Sequence, residues 1–306
     1  MPGSMHRRHF LYAAGGTAAI VAIAPRRAFS LMSSATPLKG SSAEPKRYLV
    51  IEEHVAFAPD GTLYVFHPER HLLEHRGIDG LEPQGRFSQL GSRPGELNFP
   101  TAIGFDSRRR VYVADRGNHR INIYSASGRF ETHLDRAGGQ RLAYPRGLAV
   151  DAANYLYVAD SGMNRAHVFG PDHKFIRSLE AESDPIKLAG SLPVSIAVAP
   201  DGRIHVADIG EQSIEVYERG GKLLARYGVK DGLRAPRSLA INRDGTVFVA
   251  DGVARAVFVF GPKGELIGRL EPRTADGDPV SPRYVALDGN GLLYVTAAAT
   301  GAAGRM

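Results

Sequence analysis

Short apolar runs and polar loops alternate along the chain in a pattern that recurs. The stretch VYVADRGNHRINIY, residues 111–124, reads as an apolar strand ending in Asp, a polar loop and a second strand. Related stretches occupy residues 156–169, 204–217 and 247–260. The first strand of each is apolar on both faces, which indicates a sheet that is covered on both sides. Because no segment shows a helical period over about ten residues, the pattern predicts an all-β protein.

A proline followed by a small apolar strand marks the start of each repeat. The copies are PTAIGF, PRGLAV, PVSIAV, PRSLAI and PRYVAL, and they begin at Pro100, Pro145, Pro193, Pro236 and Pro282. The spacings between these prolines are 45, 48, 43 and 46 residues. A weaker copy, EEHVAFAPDG, places Glu52 in the proline position, 48 residues before Pro100. Six repeat starts at nearly constant spacing indicate a repeat architecture.

Each repeat is expected to form four strands. The first ends in a tight turn such as PDG or RDG, and Asp-Gly between apolar runs is a strong hairpin signal. The strand pair described above follows, and an outer strand such as GRFETHL completes the unit. Four-stranded antiparallel units of about 40–50 residues, repeated six times, predict a six-bladed β-propeller. Residues 46–52 have no partner, so we expect them to supply the outer strand of the sixth blade and close the ring.

The chain divides into an amino-terminal segment and the propeller. We assign the propeller to residues 44–306, with blades starting near 52, 100, 145, 193, 236 and 282. Residues 1–35 have the layout of an export signal and linker, with a basic start, an apolar stretch and then small residues. The apolar stretch is shorter than the roughly 20 residues of a membrane-spanning helix, so no stable membrane span is expected after processing. An uncleaved anchor or a disordered tail is the alternative.

The residues RRHFL, at positions 7–11, resemble the twin-arginine export motif. They predict a periplasmic or otherwise exported protein whose cleavage point stays open. The 306-residue chain has a formal net charge of +6, of which four arginines within residues 1–35 contribute +4, so the processed chain carries +2. This small charge does not favour nucleic-acid binding, unless residues 1–35 are not a signal. The absence of cysteine excludes disulfides, thiolate metal sites and cysteine nucleophiles.

Several motifs together resemble the NHL-repeat family. They are the proline-led inner strand, the VAD ending of the second strand, the Asn-x-Arg-Ile that follows it, and GRFSQLGSRPGELNFP at residues 85–100. The resemblance covers about residues 48–300 and is clearest over 85–260. It implies a six-bladed propeller. It does not imply one function, because that family includes lyases, protein-binding modules, RNA binders and sensor domains.

The residue after each repeat proline belongs to a candidate ring around the central channel. Because strands alternate in direction within a blade, the starts of the inner strands and the loops after the second strands lie on one face. In chain order the ring consists of Glu53, Thr101, Arg146, Val194, Arg237 and Arg283. Further out lie the loop arginines Arg116, Arg120, Arg165 and Arg255, and the VAD aspartates Asp115, Asp160, Asp208 and Asp251.

Three arginines at one channel mouth, opposed by a single carboxylate, predict a receptor for an anionic group, because Arg binds carboxylate and phosphate in a bidentate fork. The candidate ligand-binding residues are Arg146, Arg237, Arg283, Glu53, Thr101, Arg120, Arg165 and Arg255. The alternative interpretation is that these arginines pair with the aspartates and hold the blades together. The aspartates themselves are expected to be structural, each tying down its own turn.

Two enzyme classes of similar fold need a metal at the channel mouth. The resemblance implies, for the peptide-amidating lyase, zinc-binding histidines after the repeat prolines, and this sequence has no histidine there. Gluconolactonase-like propellers use a carboxylate, Asn and Asp around a divalent cation, and only Glu53, beside His54, could serve here. HLLEH at residues 71–75 spells an inverted zinc-peptidase motif, but it falls on a predicted strand, where residues four apart lie about 13 Å from each other.

These observations favour a non-catalytic binding or interaction module without a cofactor, expected to be a monomer. Its partner is predicted to be an anionic small molecule, a peptide or a protein, held at the arginine-lined channel mouth. The alternative is a propeller lyase or hydrolase, amidating-lyase-like or gluconolactonase-like, that uses a metal at that mouth. Whether the protein is an enzyme stays open at this point.

Overall fold

The computed structural model describes residues 29–30, 48–51, 54–67, 71–76, 83–179, 190–273 and 279–297. Within these ranges the regular elements are β-strands and a single 3-10 turn at Arg116–Asn118. Strands β1 (Phe29–Ser30) and β2 (Tyr48–Ile51) precede the repeats. None of the helical structure in these ranges has the length and apolar character needed to cross a membrane. The expectation of an all-β protein is confirmed.

Five sheets are four-stranded antiparallel blades, each built from consecutive strands. The first blade contains β3 (His54–Phe57), β4 (Leu63–His67), β5 (Leu72–Arg76) and β6 (Pro83–Phe87). The second contains β7 (Pro100–Phe105), β8 (Val111–Asp115), β9 (Arg120–Tyr124) and β10 (Phe130–Leu134), followed by the small pair β11 (Arg136–Ala137) and β12 (Gln140–Arg141). The third contains β13 (Pro145–Val150), β14 (Leu156–Asp160), β15 (Arg165–Phe169) and β16 (Phe175–Leu179).

The remaining two blades repeat the same order. The fourth contains β17 (Pro193–Val198), β18 (Ile204–Asp208), β19 (Ser213–Tyr217) and β20 (Leu223–Tyr227). The fifth contains β21 (Pro236–Ile241), β22 (Val247–Asp251), β23 (Ala256–Phe260) and β24 (Leu266–Leu270). A last hairpin follows, β25 (Pro282–Leu287) and β26 (Leu293–Ala297). The chain is therefore a β-propeller of four-stranded antiparallel blades.

The prediction of six such blades is wrong in number, because the sheet that contains the last hairpin has a different pattern. Its strand order is β25-β26-β2-β1, and β2 runs parallel to β26. In the five blades the second strand has an antiparallel partner on each side. Residues 46–52 were expected to supply the outer strand of a sixth four-stranded blade, but β2 pairs directly with the second strand of the hairpin, β26. The predicted closure of the ring is not confirmed.

The blades share two faces, which follow from the antiparallel order. In the third blade Pro145, at the start of β13, is opposite Asp160, at the end of β14, whereas Val150 is opposite Leu156 across the connecting turn. We call the side with the prolines, the VAD aspartates and the loops after the second strands the proline face. The side with the turns between first and second strands is the turn face.

The core lies between blades rather than within one sheet. Separate clusters of buried side chains join the first blade to the second, the second to the third, the third to the fourth, the fourth to the fifth, and the fifth to the last hairpin. Between the last hairpin and the first blade, the ring centroids of Tyr284 and His54 lie 3.9 Å apart and those of Tyr294 and Phe57 lie 4.7 Å apart. Stacking of covered sheets explains why the second strands are apolar on both faces.

The inner strands approach each other closely, and Gly147 shows why small residues are needed there. A Cβ atom on Gly147 would lie 2.7 Å from both the Cα of Ser195 and the carbonyl oxygen of Val194 in the next blade. Contacts this short with backbone atoms force a shift of one inner strand against the other. Alanine at this position would therefore push the third and fourth blades apart, next to the channel mouth.

Candidate functional site

A β-bulge lifts the residue after each repeat proline out of the regular ladder. In the five inner strands that begin with proline, two residues face the single VAD-position residue of the partner strand; the bulged residues are Thr101, Arg146, Val194, Arg237 and Arg283. Bulges leave one residue unpaired and redirect its side chain. Arg237 and Arg283 are exposed, Arg146 and Thr101 are partly buried, and Val194 is buried.

The charges of four guanidinium groups act on the hydroxyl of Tyr284, the residue that follows Arg283 on β25. Burial raises the pKa of Tyr284, and the charges of Arg283, Arg237, Arg146 and Arg116 each oppose that rise. These arginines come from four different repeats, and their charges act on one tyrosine. We call Arg116, Arg146, Arg237 and Arg283 the arginine cluster.

Arg146 lies in unfavourable electrostatic surroundings. Burial lowers the pKa of Arg146, and the charges of Arg116 and Arg237 lower it further, whereas Tyr284 opposes this. Its buried Nε atom has no hydrogen-bond partner. Since an arginine stays protonated in proteins, this side chain holds a positive charge near two others without an acceptor at Nε.

Arg116 joins the cluster from the loop after β8. Its guanidinium lies over the ring of Tyr144, 5.6 Å from the ring centroid, and its buried Nε likewise has no hydrogen-bond partner. Among the described residues, no ion pair to an aspartate or glutamate involves any member of the cluster. A bound anion would supply the missing acceptors and reduce the repulsion between the guanidinium groups.

The VAD aspartates on the same face have the opposite character, as the sequence predicts. Each is buried and accepts backbone N–H groups from the segment just before its own repeat proline. Asp160 accepts from Ala143 and Tyr144 at 2.7 and 2.8 Å, and from Gly162 and Met163 in the following loop at 3.1 and 3.3 Å. Asp115, Asp208 and Asp251 form corresponding bonds with Asn98, Leu192 and the pair Arg234 and Ala235. These carboxylates fasten the blade and are occupied.

The other predicted site residues lie away from the cluster or bind the protein itself. Arg120 is buried, with its Nε 3.1 Å from Asp115, and its terminal nitrogens donate to the carbonyl oxygens of Ser92, Arg93 and Glu96. It therefore matches the alternative interpretation, in which an arginine holds the structure together. Thr101 donates from Oγ1 to the carbonyl oxygen of Pro145 at 3.3 Å, which ties the second inner strand to the third.

Two loop arginines complete the predicted set. Arg165 donates from Nε to the carbonyl oxygen of Met163 at 3.2 Å and borders a cleft between the third and fourth blades that Ser191 and Glu215 also line. Arg255 is exposed, with a left-handed backbone at φ 52°. Glu53, the predicted carboxylate of the channel mouth, lies outside the described residues. No group of three or more His, Asp or Glu side chains suited to hold a metal occurs in the described part of the chain.

The histidines singled out from the sequence are packed against other side chains. His54 contacts the rings of Tyr284 and Phe66 at 3.9 and 4.9 Å between centroids. The HLLEH segment includes strand β5, as expected, so His71 and His75 do not share a helix face. His71 accepts the backbone N–H of Phe99 at 2.8 Å, and Glu74 pairs with Arg86 at 3.1 Å.

Sequence reasoning did not identify Tyr284 as the centre of the cluster. The signal lies two residues after the repeat proline, where the other proline-led strands have Ala102, Gly147, Ser195 and Ser238. A tyrosine at a position that is otherwise small indicates a side chain that fills space no other repeat fills. Arg116 was placed among the outer loop arginines, but the fold brings it to the inner group.

Comparisons with known proteins agree with the fold. The family model for the NHL repeat matches residues 97–124. A solved structure of a streptogramin B lyase is similar with a TM-score of 0.63 and 13% identity, covering 80% of this chain and 90% of that one. A catalytically inactive virginiamycin B lyase from Staphylococcus aureus, solved with quinupristin, gives 0.62 and 13%, covering 80% and 77%. A gluconolactonase from Xanthomonas campestris gives 0.68 and 18%, covering 90% and 96%.

Identities this low show a shared fold and leave the activity open. No curated protein sequence matches the chain significantly. The matched repeat spans the end of the first blade's connecting loop, the inner strand β7 and the pair β8 and β9. The chain is therefore a β-propeller that carries an NHL repeat.

Proposed function

We propose that this protein is a non-catalytic binding module that holds an anionic ligand at the arginine cluster on its proline face. One observation carries the proposal: four guanidinium groups act electrostatically on the same tyrosine, Tyr284, and none of them pairs with an acidic side chain among the described residues. Clustered cations repel each other, and a carboxylate or phosphate removes that repulsion while it accepts forked hydrogen bonds. A small molecule, a peptide or a protein surface can supply such a group.

The occupied aspartates on the same face support this proposal. Arg120 satisfies Asp115, and backbone N–H groups satisfy Asp160, so these carboxylates are committed to the fold. The cluster therefore keeps its charge for an external partner. We further propose that residues 1–35 direct export, which places that partner outside the cytoplasm, and that the β25–β26 sheet fills the sixth position of the ring through the contacts of Tyr284 with His54.

The experiment measures anion binding to the full chain by isothermal titration calorimetry at low and moderate salt. Inorganic phosphate and citrate serve as probes. The double variant Arg146→Ala/Arg237→Ala is expected to lose at least about tenfold in affinity, because two charge-assisted contacts are removed. The signal of the unchanged protein is expected to weaken as salt rises.

Arg243→Ala is the matched control, since Arg243 is exposed in the turn after β21, on the turn face, at the other end of the strand that begins beside Arg237. Its affinity should equal that of the unchanged protein. The proposal is wrong if neither probe binds, or if the double variant binds as well as the control.

A further inference from the structure

Two exposed aromatic residues lie on the proline face, on the blades that also carry Arg116 and Arg146. Phe99 and Tyr144 are the residues just before the prolines that start β7 and β13, and they remain 51% and 48% exposed. The same position holds Leu192, Ala235 and Ser281 in the next three repeats. Among the five proline-led repeats that the structure describes, this position thus holds a large exposed aromatic ring only in the repeats of the second and third blades, which are neighbours.

Each exposed ring is held in place by a histidine from the preceding blade. His71 packs edge-on against Phe99 at 4.7 Å between centroids and accepts its backbone N–H. His119 packs edge-on against Tyr144 at 5.2 Å and contacts the carbonyl oxygen of Ala143 through Nδ1. Both histidines have left-handed backbones, with φ of 54° and 57°, a position filled by Asn164, Gln212 and Arg255 in later loops. The same pairing of a loop histidine with an exposed aromatic ring therefore occurs in two successive repeats.

Phe99 itself has φ of 49°. A left-handed backbone is unfavourable for a bulky residue and is found where the surrounding structure has a reason to hold it. Here the strain keeps an apolar ring at the surface, where burial would have been expected. Exposed, immobilised aromatic rings beside a cationic group provide a stacking surface for a planar ligand.

The exposed aromatic residues and the arginine cluster meet at Tyr144. Arg116 lies over the ring of Tyr144 and belongs to the arginine cluster, and Arg146 is two residues from Tyr144 in the chain. Thr101 Oγ1 binds the carbonyl oxygen of Pro145, which holds the two aromatic-bearing strands together. A ligand whose anionic group meets Arg146 and Arg237 would therefore place its neighbouring atoms next to Tyr144.

We propose that the ligand is a small aromatic anion, with a planar ring that stacks on Tyr144 and Phe99 and a carboxylate or phosphate that binds the arginine cluster. This inference rests on the proposed function and specifies its ligand class. Stacking on two rings accounts for a preference of about tenfold over the same anion without a ring.

The test compares two probe pairs on the full chain by calorimetry: phenyl phosphate against inorganic phosphate, and benzoate against acetate. The first pair reports on phosphate ligands and the second on carboxylate ligands. The unchanged protein is expected to prefer the aromatic member of at least one pair by about tenfold. Phe99→Leu/Tyr144→Leu should reduce that preference, measured as the ratio of the two affinities, to about twofold or less.

Tyr155→Leu is the matched control, because Arg219 lies 5.1 Å from the centroid of the Tyr155 ring on the turn face, in the same kind of pair. It should retain the full preference. Circular dichroism of the three proteins checks that the leucines leave the fold intact. Equal binding of both members in both pairs would overturn the inference while the proposed function stands. If no probe binds at all, the proposed function fails and the inference fails with it.

Discussion

The proline face presents two sets of charged residues that repeat in the chain at similar places and have opposite roles. The VAD aspartates are buried, and their carboxylate oxygens accept hydrogen bonds from within the protein. The donors include backbone N–H groups at Asp160, a serine hydroxyl at Asp208 and an arginine at Asp115. The arginine cluster has no acidic partner in the described chain, and two of its Nε atoms are buried without an acceptor. The charge of the aspartates is thus neutralised within the fold. The unpaired charge of the arginine cluster is the basis for proposing an external ligand.

The sharpest test of this comparison removes one carboxylate of the first set. Asp160→Ala would leave four backbone N–H groups without their acceptor in a buried position. We expect the free energy of unfolding to fall by about 4 kcal/mol, because unsatisfied buried donors are costly. Urea denaturation followed by circular dichroism measures the loss. A change below about 1 kcal/mol would show that the aspartates do not hold the blades.

Low pH provides a second test, because it protonates two buried histidines, each of which has only one of its two ring nitrogens hydrogen-bonded. His167 and His205 bind Ser178 and Tyr227 through Nδ1, and their buried Nε2 atoms have no partner. Burial lowers the pKa of each to about 4, from an ordinary 6.5. The unfolded chain therefore binds more protons than the folded chain between these values, and stability is full above pH 6.5 and lost as the pH falls towards 4.

The loss is about 3 kcal/mol for each histidine over that window. Unfolding free energies from urea denaturation at pH 7 and pH 4.5 measure it. His167 and His205 both contribute to the difference in unfolding free energy between pH 7 and pH 4.5. His205→Gln should remove about half of that joint contribution. A variant whose pH dependence equals that of the unchanged protein would contradict a neutral buried His205.

The smallest expected effect completes the comparison. Arg146→Ala removes a cation that has no acidic partner and lies near two other guanidinium groups. We expect the free energy of unfolding to change by less than about 0.5 kcal/mol, because lost packing and relieved repulsion oppose each other. The same denaturation measurement as for Asp160→Ala gives the value. A loss above about 2 kcal/mol would place Arg146 with the structural residues and weaken the proposed site.

Much of the fold could be predicted because its causes are local. The repeat prolines and the Asp-Gly turns set where strands begin and reverse, and the VAD aspartates sit at the end of a strand whose turn they tie down. The sequence predicted that residues 46–52 join the last blade, but it did not predict that β2 pairs in parallel with β26, because no local pattern specifies strand direction. A spacing count alone gave six equal units.

For the proposed site, the sequence predicted a group of arginines on one face but did not predict which loop arginine belongs to that group. Arg146, Arg237 and Arg283 share a repeat position, so the sequence could bring them to one face. Arg120 looked equivalent to Arg116 as a loop arginine, yet it points its donors into the carbonyl groups of the preceding loop. Whether a loop arginine is hydrogen-bonded within the protein depends on the path of the neighbouring backbone, which the residue type alone does not specify.

The aspartate bonds have a consequence for how such a protein can diverge. The bonds to the segment before each proline join the aspartate to residues 16 or 17 positions earlier, in the connection that arrives from the preceding blade. Each blade thus fastens the connection that leads into it, and the exposed residues of that connection can be exchanged while the fastening stays in place. Selection for a new ligand can act on the rim of one blade at a time.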